Sequence, residues 1–187
     1  MSALEIAGVA TGILSVWLVT RERVWCWPVG LVSVAIYVAV FWRVRLYGSM
    51  ALQAIYIVLS IYGWYQWTRG GQGDAPLRVS RATSRELAVS AAIGLTATVV
   101  VAAWLGRHTD EALPVTDAAA TSFSLVAQWL QTRKRLENWW VWLAVDLVMV
   151  GMYLSQGLAP TAALYGVYTA LAVSGLLLWR RSMQEAV

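Results

Sequence analysis

The chain has 187 residues, 59% of them apolar and 13% charged, with a mean hydropathy of +0.61, whereas soluble chains carry about 25% charge. That excludes an ordinary water-soluble domain, and the longest polar stretch, 68–86, is too short to bury a core of its own. The net charge of +4 comes from thirteen Arg and one Lys in short runs between apolar segments, a pattern of orientation signals and not of nucleic-acid binding.

A bilayer crossing takes about 20 residues. Apolar windows predict an all-α integral membrane protein with seven spans, at 3–19, 27–42, 47–66, 87–105, 117–131, 139–155 and 160–178. The first lacks a basic leader region and runs into Arg21-Glu22-Arg23, so no cleavable signal peptide is expected. Pro28 and Pro160 fall in the first turns of the second and seventh spans, where a missing N–H costs nothing, and Ser49 and Thr161 are candidate caps. The third span places Gln53, Tyr56, Ser60, Gly63 and Trp67 on one face, and the fifth does the same with Thr121, Ser124 and Gln128. The sixth aligns Trp139, Trp142, Asp146, Met149 and Tyr153, and the seventh carries Thr161, Tyr165, Tyr168, Gly175 and Trp179. Such polar faces also serve as interhelical glue. With one cysteine, Cys26, and one histidine, His108, neither an internal disulfide nor a metal site is expected, and no cofactor.

Lys and Arg set direction. With the N-terminus outside and the C-terminus cytoplasmic, eleven basic residues are cytoplasmic, and only Arg43, Arg45 and Arg107 are outside.

The chain also repeats itself. Trp17-Leu18 and Thr20-Arg21 recur 112 positions on as Trp129-Leu130 and Thr132-Arg133, and Gly63 and Trp67 recur as Gly175 and Trp179. Between these ends, a three-residue insertion in 132–139 is expected to pair Trp25-Cys26-Trp27 with Trp140-Val141-Trp142. Residues 1–67 then form one triple-helix bundle and 113–187 a second, parallel one. A cytoplasmic loop, a linker helix and an outer loop join them over 68–112. A 3+1+3 plan of this kind places a ligand near the midplane between repeats.

Asp146 is the one acid well inside a span. At the bilayer centre a lone carboxylate costs about 2.5–3.5 kcal/mol, so it needs a partner or water. Counter-ion to a cationic substrate, proton carrier and interhelical anchor are the three roles open to it. Among twelve tryptophans, Trp25, Trp42, Trp67, Trp104 and Trp179 sit at span ends as interfacial belt residues. Trp27, Trp64, Trp139, Trp142, Tyr37, Tyr56, Tyr153, Tyr165 and Tyr168 are placed to line a cavity suited to a flat, cationic, hydroxyl-bearing ring. A membrane enzyme on lipid-like substrates would need paired acids or a His cluster, which a lone Asp146 does not supply, so no catalytic residue is assigned.

The run Trp27-Pro28-Val29-Gly30, then Leu46-Tyr47-Gly48 with Leu52-Gln53, then Tyr62-Gly63-Trp64-Tyr65-Gln66-Trp67, resembles the first half of the PnuC family of vitamin transporters. Gln128-Trp129-Leu130, Arg133-Lys134, Glu137-Asn138-Trp139, Trp142, Leu164-Tyr165, Gly175 and Trp179 resemble its second half. The resemblance covers nearly everything except 70–115. It implies a SWEET-like fold in the bacterial inner membrane and facilitated diffusion of nicotinamide riboside, trapped by a cytoplasmic kinase. Thiamine and riboflavin are the alternative cargoes, and a homo-oligomer, a trimer, is a further expectation. By motif match it points to Gln53, Gln128, Trp139 and Trp142 as site residues. Asp146 departs from the Asn expected there. Nicotinamide riboside and thiamine are both cations, so the acid does not separate them, whereas neutral riboflavin gains least from it.

Overall fold

The structure, a computed structural model, describes residues 3–43, 47–109 and 113–185. It contains seven α-helices: α1 (Ala3–Thr20), α2 (Cys26–Arg43), α3 (Tyr47–Arg69), α4 (Ser84–His108), α5 (Pro114–Thr132), α6 (Asn138–Ser155) and α7 (Ala159–Glu185). Arg45 and Leu46 lie outside the described residues, and Tyr47, Gly48 and Ser49 are described in backbone alone. Local chemistry sets several ends. Thr83 caps α4 by accepting from the Glu86 N–H at 3.2 Å, and Pro114 opens α5 three residues earlier than the hydropathy reading. Neither Ser49 nor Thr161 is a cap, because α3 and α7 begin two residues before each.

Five helices, α1, α2, α4, α6 and α7, are long and apolar enough to cross a membrane. The two that fall short, α3 and α5, have the length but carry Gln53, Ser60, Thr121, Ser124, Gln128 and Gln131. Polar side chains turned inward cost little when they face one another or a cavity, so these helices trade hydropathy for an interior role.

The order of packing is a ring. α1 packs on α2, α2 on α3, α3 on α5, α5 on α6, α6 on α7, and α7 returns to α1. α4 touches α5 alone among the described helices and stands outside the ring. The two inter-bundle contacts, α3 on α5 and α7 on α1, exchange under an offset of 112, so the bundles are related by a pseudo-twofold axis through the middle.

The turns after α1 and α5 repeat without insertion. Arg21, Glu22 and Arg23 donate to Leu18, Val19 and Leu18, and Arg133, Lys134 and Arg135 donate to Leu130, Gln131 and Leu130. Thr20 and Thr132 each bond the carbonyl three residues back. Glu22 and Lys134 both take positive φ, at 53° and 48°. The expected three-residue insertion is therefore absent, and Trp27 corresponds to Trp139, not Trp142. Trp-rich runs on both sides admitted two registers, and only the packing separates them.

At this end of the ring four tryptophans meet. Trp27 and Trp67 are edge-to-face at 5.3 Å, Trp139 and Trp179 likewise at 5.3 Å, and Trp67 meets Trp179 at 5.7 Å. The Trp67 indole donates to the Gln131 carbonyl at 3.0 Å, and the Trp179 indole to that of Val19 at 2.9 Å. Both are fully buried, at 0% exposure, which overturns their reading as interfacial belt residues. A span-end position looks the same in sequence whether the ring faces lipid or a partner across the axis. Trp25, Trp42 and Trp104 are 71%, 64% and 54% exposed.

The segment between α3 and α4 is a strap over the same end. Leu77 N–H donates to the Trp67 carbonyl, Ser80 N–H to Lys134, Leu136 N–H to Ser80, and Ala82 N–H to the Glu137 carboxylate. Val79 and Leu136 join the tryptophan cluster.

Candidate functional site

The six ring helices enclose a cavity of about 310 Å³. Its wall is made of equivalent positions: Gly12 and Ser124, Val16 and Gln128, Val19 and Gln131, Trp27 and Trp139, and Gly30 and Trp142 all line it. Ser33 and Val145, Val34 and Asp146, Gln53 and Tyr165, Tyr56 and Tyr168, and Ser60 and Ala172 complete the pairs, each 112 residues apart. The positions are symmetric and the chemistry is not. Glycine, serine and valine from α1 and α2 face glutamine, tryptophan and aspartate from α5 and α6. Such a cavity distinguishes the two ends of a bound molecule.

Glycines set the spacing. A Cβ at Gly63 would fall inside the Trp27 ring and one at Gly175 inside the Trp139 ring, so both positions are close-packing sites. These cradles draw each indole under the cavity as its floor. Gly12 leaves room for the Tyr168 hydroxyl, and Gly30 approaches Ser15, whose own hydroxyl donates to the Cys26 carbonyl at 2.8 Å.

On the opposite wall the Trp142 indole donates to the Gln131 side chain at 3.2 Å, which fixes the ring plane against α5. Tyr56 and Ser124 both line the cavity where α3 meets α5. Asp146, one residue along α6 from Val145 and four from Trp142, both lining positions, is 4% exposed. Among the described residues no Lys, Arg or His lines the cavity, and neither ion pair involves Asp146.

Of the residues singled out from sequence, Trp27, Gln53, Tyr56, Gln128, Trp139, Trp142, Asp146, Tyr165 and Tyr168 come together on this wall. Tyr153 does not line it. It lies two turns beyond Asp146 and stacks on Tyr165 at 5.4 Å, supporting a lining residue from behind. Trp64 is outside the cavity and 41% exposed. It follows Gly63, whose position points at Trp27, and one helical step turns the next side chain by about 100°. Tyr37 is likewise away from the wall, stacked on Phe41 at 5.9 Å. Sequence reasoning missed the small-residue wall, Gly12, Ser15, Val16, Gly30, Ser33 and Val34, together with Gln131. Applying the 112 offset without a break would have found most of them.

The family described as nicotinamide mononucleotide transporter matches residues 2–181. The nicotinamide riboside transporter PnuC of Escherichia coli is 28% identical over 99% of this chain and 88% of its own length. The riboflavin/roseoflavin transporter RibM of Streptomyces davaonensis is 32% identical over 97% of this chain and 87% of its own. A crystal structure of the vitamin B3 transporter PnuC superposes with a TM-score of 0.76 at 25% identity, covering 97% of this chain and 82% of that one.

Proposed function

Because the chain belongs to the nicotinamide mononucleotide transporter family, a multi-pass membrane transporter of a small vitamin and not an enzyme, we propose that its cargo is nicotinamide riboside. The observation that carries the reading is Asp146, a buried carboxylate facing an aromatic cavity whose lining, among the described residues, holds no positive charge. A pyridinium ring supplies the missing cation and stacks on flat walls, each well-placed ring contributing about 0.5–2 kcal/mol. The ribose hydroxyls have Gln53, Gln128 and Gln131 as partners. The phosphorylated form fits poorly, since its dianion would meet Asp146 without the Arg or helix N-terminus that phosphates require. A second reading, riboflavin, is favoured by the 32% identity to a riboflavin carrier. A neutral three-ring system would gain the stacking surfaces and leave the carboxylate uncompensated.

In this proposal transport is facilitated diffusion by alternating access. The bundles 1–67 and 113–187 rock about the cavity, with 68–112 connecting them, the N-terminus outside and the C-terminus in the cytoplasm of a bacterial inner membrane. The four-tryptophan cluster is then the inner gate, and a cytoplasmic kinase retains the cargo. The absence of a nucleotide-binding motif in the sequence supports passive transport.

The test is a side-by-side thermal-shift and calorimetric comparison of nicotinamide riboside, its mononucleotide, thiamine and riboflavin on purified protein. The riboside is expected to bind most tightly and the mononucleotide least. A preference for riboflavin replaces this reading with the second.

A further inference from the structure

Outside the ring, α4 and α5 leave a groove of about 730 Å³ between them. Its depth is apolar, formed by Val89, Ile93, Leu125 and Val126, and one end is basic, with Arg85 and Arg133. From Ser122 to Arg133 along α5 the groove rises about 16 Å at 1.5 Å per residue, close to half the roughly 30 Å hydrocarbon core of a bilayer. It is thus as long as one leaflet is thick, apolar toward the midplane and cationic at the surface.

The basic end is unsatisfied. Arg135, also at this end, is occupied by Glu86 at 3.1 Å, by Ser80 and by the Arg81 carbonyl. Arg133 lies over the Trp129 ring at 4.9 Å, and its Nε is buried with no hydrogen-bond partner. Neither Arg85 nor Arg133 has a carboxylate partner among the described residues. A charge-assisted donor left unpaired at a membrane surface calls for an anion, and the apolar trough leading from it calls for an acyl chain. We propose that this groove holds one anionic phospholipid, its phosphate on Arg133 and Arg85 and a chain between α4 and α5.

The pseudo-twofold supplies a control within the molecule. Arg21 stands over Trp17 at 5.7 Å as Arg133 stands over Trp129, but no helix covers the α1 side, because α4 packs on α5 alone among the described helices. Among the described helices the trough lies on the second repeat, where α4 packs on α5, so one lipid per chain is expected.

The experiment is native mass spectrometry of the full chain released from detergent doped with equal phosphatidylglycerol and phosphatidylcholine. The wild type should retain one phosphatidylglycerol per chain in preference to phosphatidylcholine. Arg133→Gln and Arg85→Gln should each lower that retention about fivefold, the effect of one basic residue near an anionic lipid surface, while Arg21→Gln should match the wild type. Ala97→Phe, which fills the trough without touching charge, should also lower retention. Arg85 is exposed, so its variant reports even if Arg133→Gln fails to fold. Equal retention of the two lipids, equal loss in Arg21→Gln and Arg133→Gln, or loss of oligomers instead of lipid in Ala97→Phe would overturn the proposal.

Discussion

Glu22 and Lys134 hold the same position in the two repeats, 112 residues apart, and they pair with each other at 3.0 Å across the pseudo-twofold axis. Both sit at positive φ, a shared turn geometry that aims each side chain at the other bundle. The Lys134 ammonium also lies over the Trp67 ring at 4.5 Å. One salt bridge thus joins both turns to the tryptophan cluster.

Removing one partner leaves the other charged and poorly solvated. Glu22→Gln should destabilise the protein by about 1–3 kcal/mol, read as a lowered Tm at fixed detergent and lipid. Because the positions are equivalent, the double change Glu22→Lys with Lys134→Glu should recover most of the loss. No recovery would mean that the surroundings, and not the pair, set the energy.

Gly63→Ala and Gly175→Ala each place a methyl group inside an indole ring, an overpacking expected to cost about 1–3 kcal/mol. Gly166→Ala meets nothing within 4 Å. In that helix interior it should be neutral, or stabilising by up to about 1 kcal/mol. Thermal melts of the three variants check the ordering.

Trp142→Ala removes a flat wall from the cavity without exposing a charge. Affinity for the riboside should fall about tenfold if the ring contributes 1.4 kcal/mol, with folding retained. Trp42→Ala, at an exposed position away from the cavity, should leave affinity unchanged by calorimetry. Impaired folding with unaltered affinity would return Trp142 to a packing role.

Asp146→Asn keeps shape and hydrogen-bonding capacity and deletes the charge. A counter-ion predicts weaker binding of nicotinamide riboside and thiamine by about 1–3 kcal/mol, with riboflavin little affected. An interhelical anchor predicts tolerance for every ligand. In proteoliposomes the parent protein should equilibrate substrate and not concentrate it. Accumulation under a pH gradient, lost in Asp146→Asn, would make the carboxylate a proton carrier.

A reporter fused after Val187 should read cytoplasmic and one inserted near His108 external. The reverse pair of signals would invert the proposed orientation and, with it, the side on which the tryptophan gate opens.

Helix number and placement were legible in the sequence because they answer to local physics. A bilayer demands about 20 apolar residues per crossing, and a 3.6-residue period puts Trp139, Trp142 and Asp146 on one face wherever that helix lies. The repeat was legible at its ends for the same reason: matched turns need matched residues. What sequence could not decide was which of two near-identical tryptophan registers the bundles use, and whether Trp67 and Trp179 meet lipid or each other. Those are long-range choices. They depend on α3 packing on α5 and α7 on α1, which brings together residues far apart in the chain, Trp67 and Gln131 at 64 positions and Val19 and Trp179 at 160. The small wall of α1 and α2 was hidden for a related reason. Gly12, Gly30 and Val34 carry no chemistry of their own, and they become part of a site only because Ser124, Trp142 and Asp146 are folded opposite them.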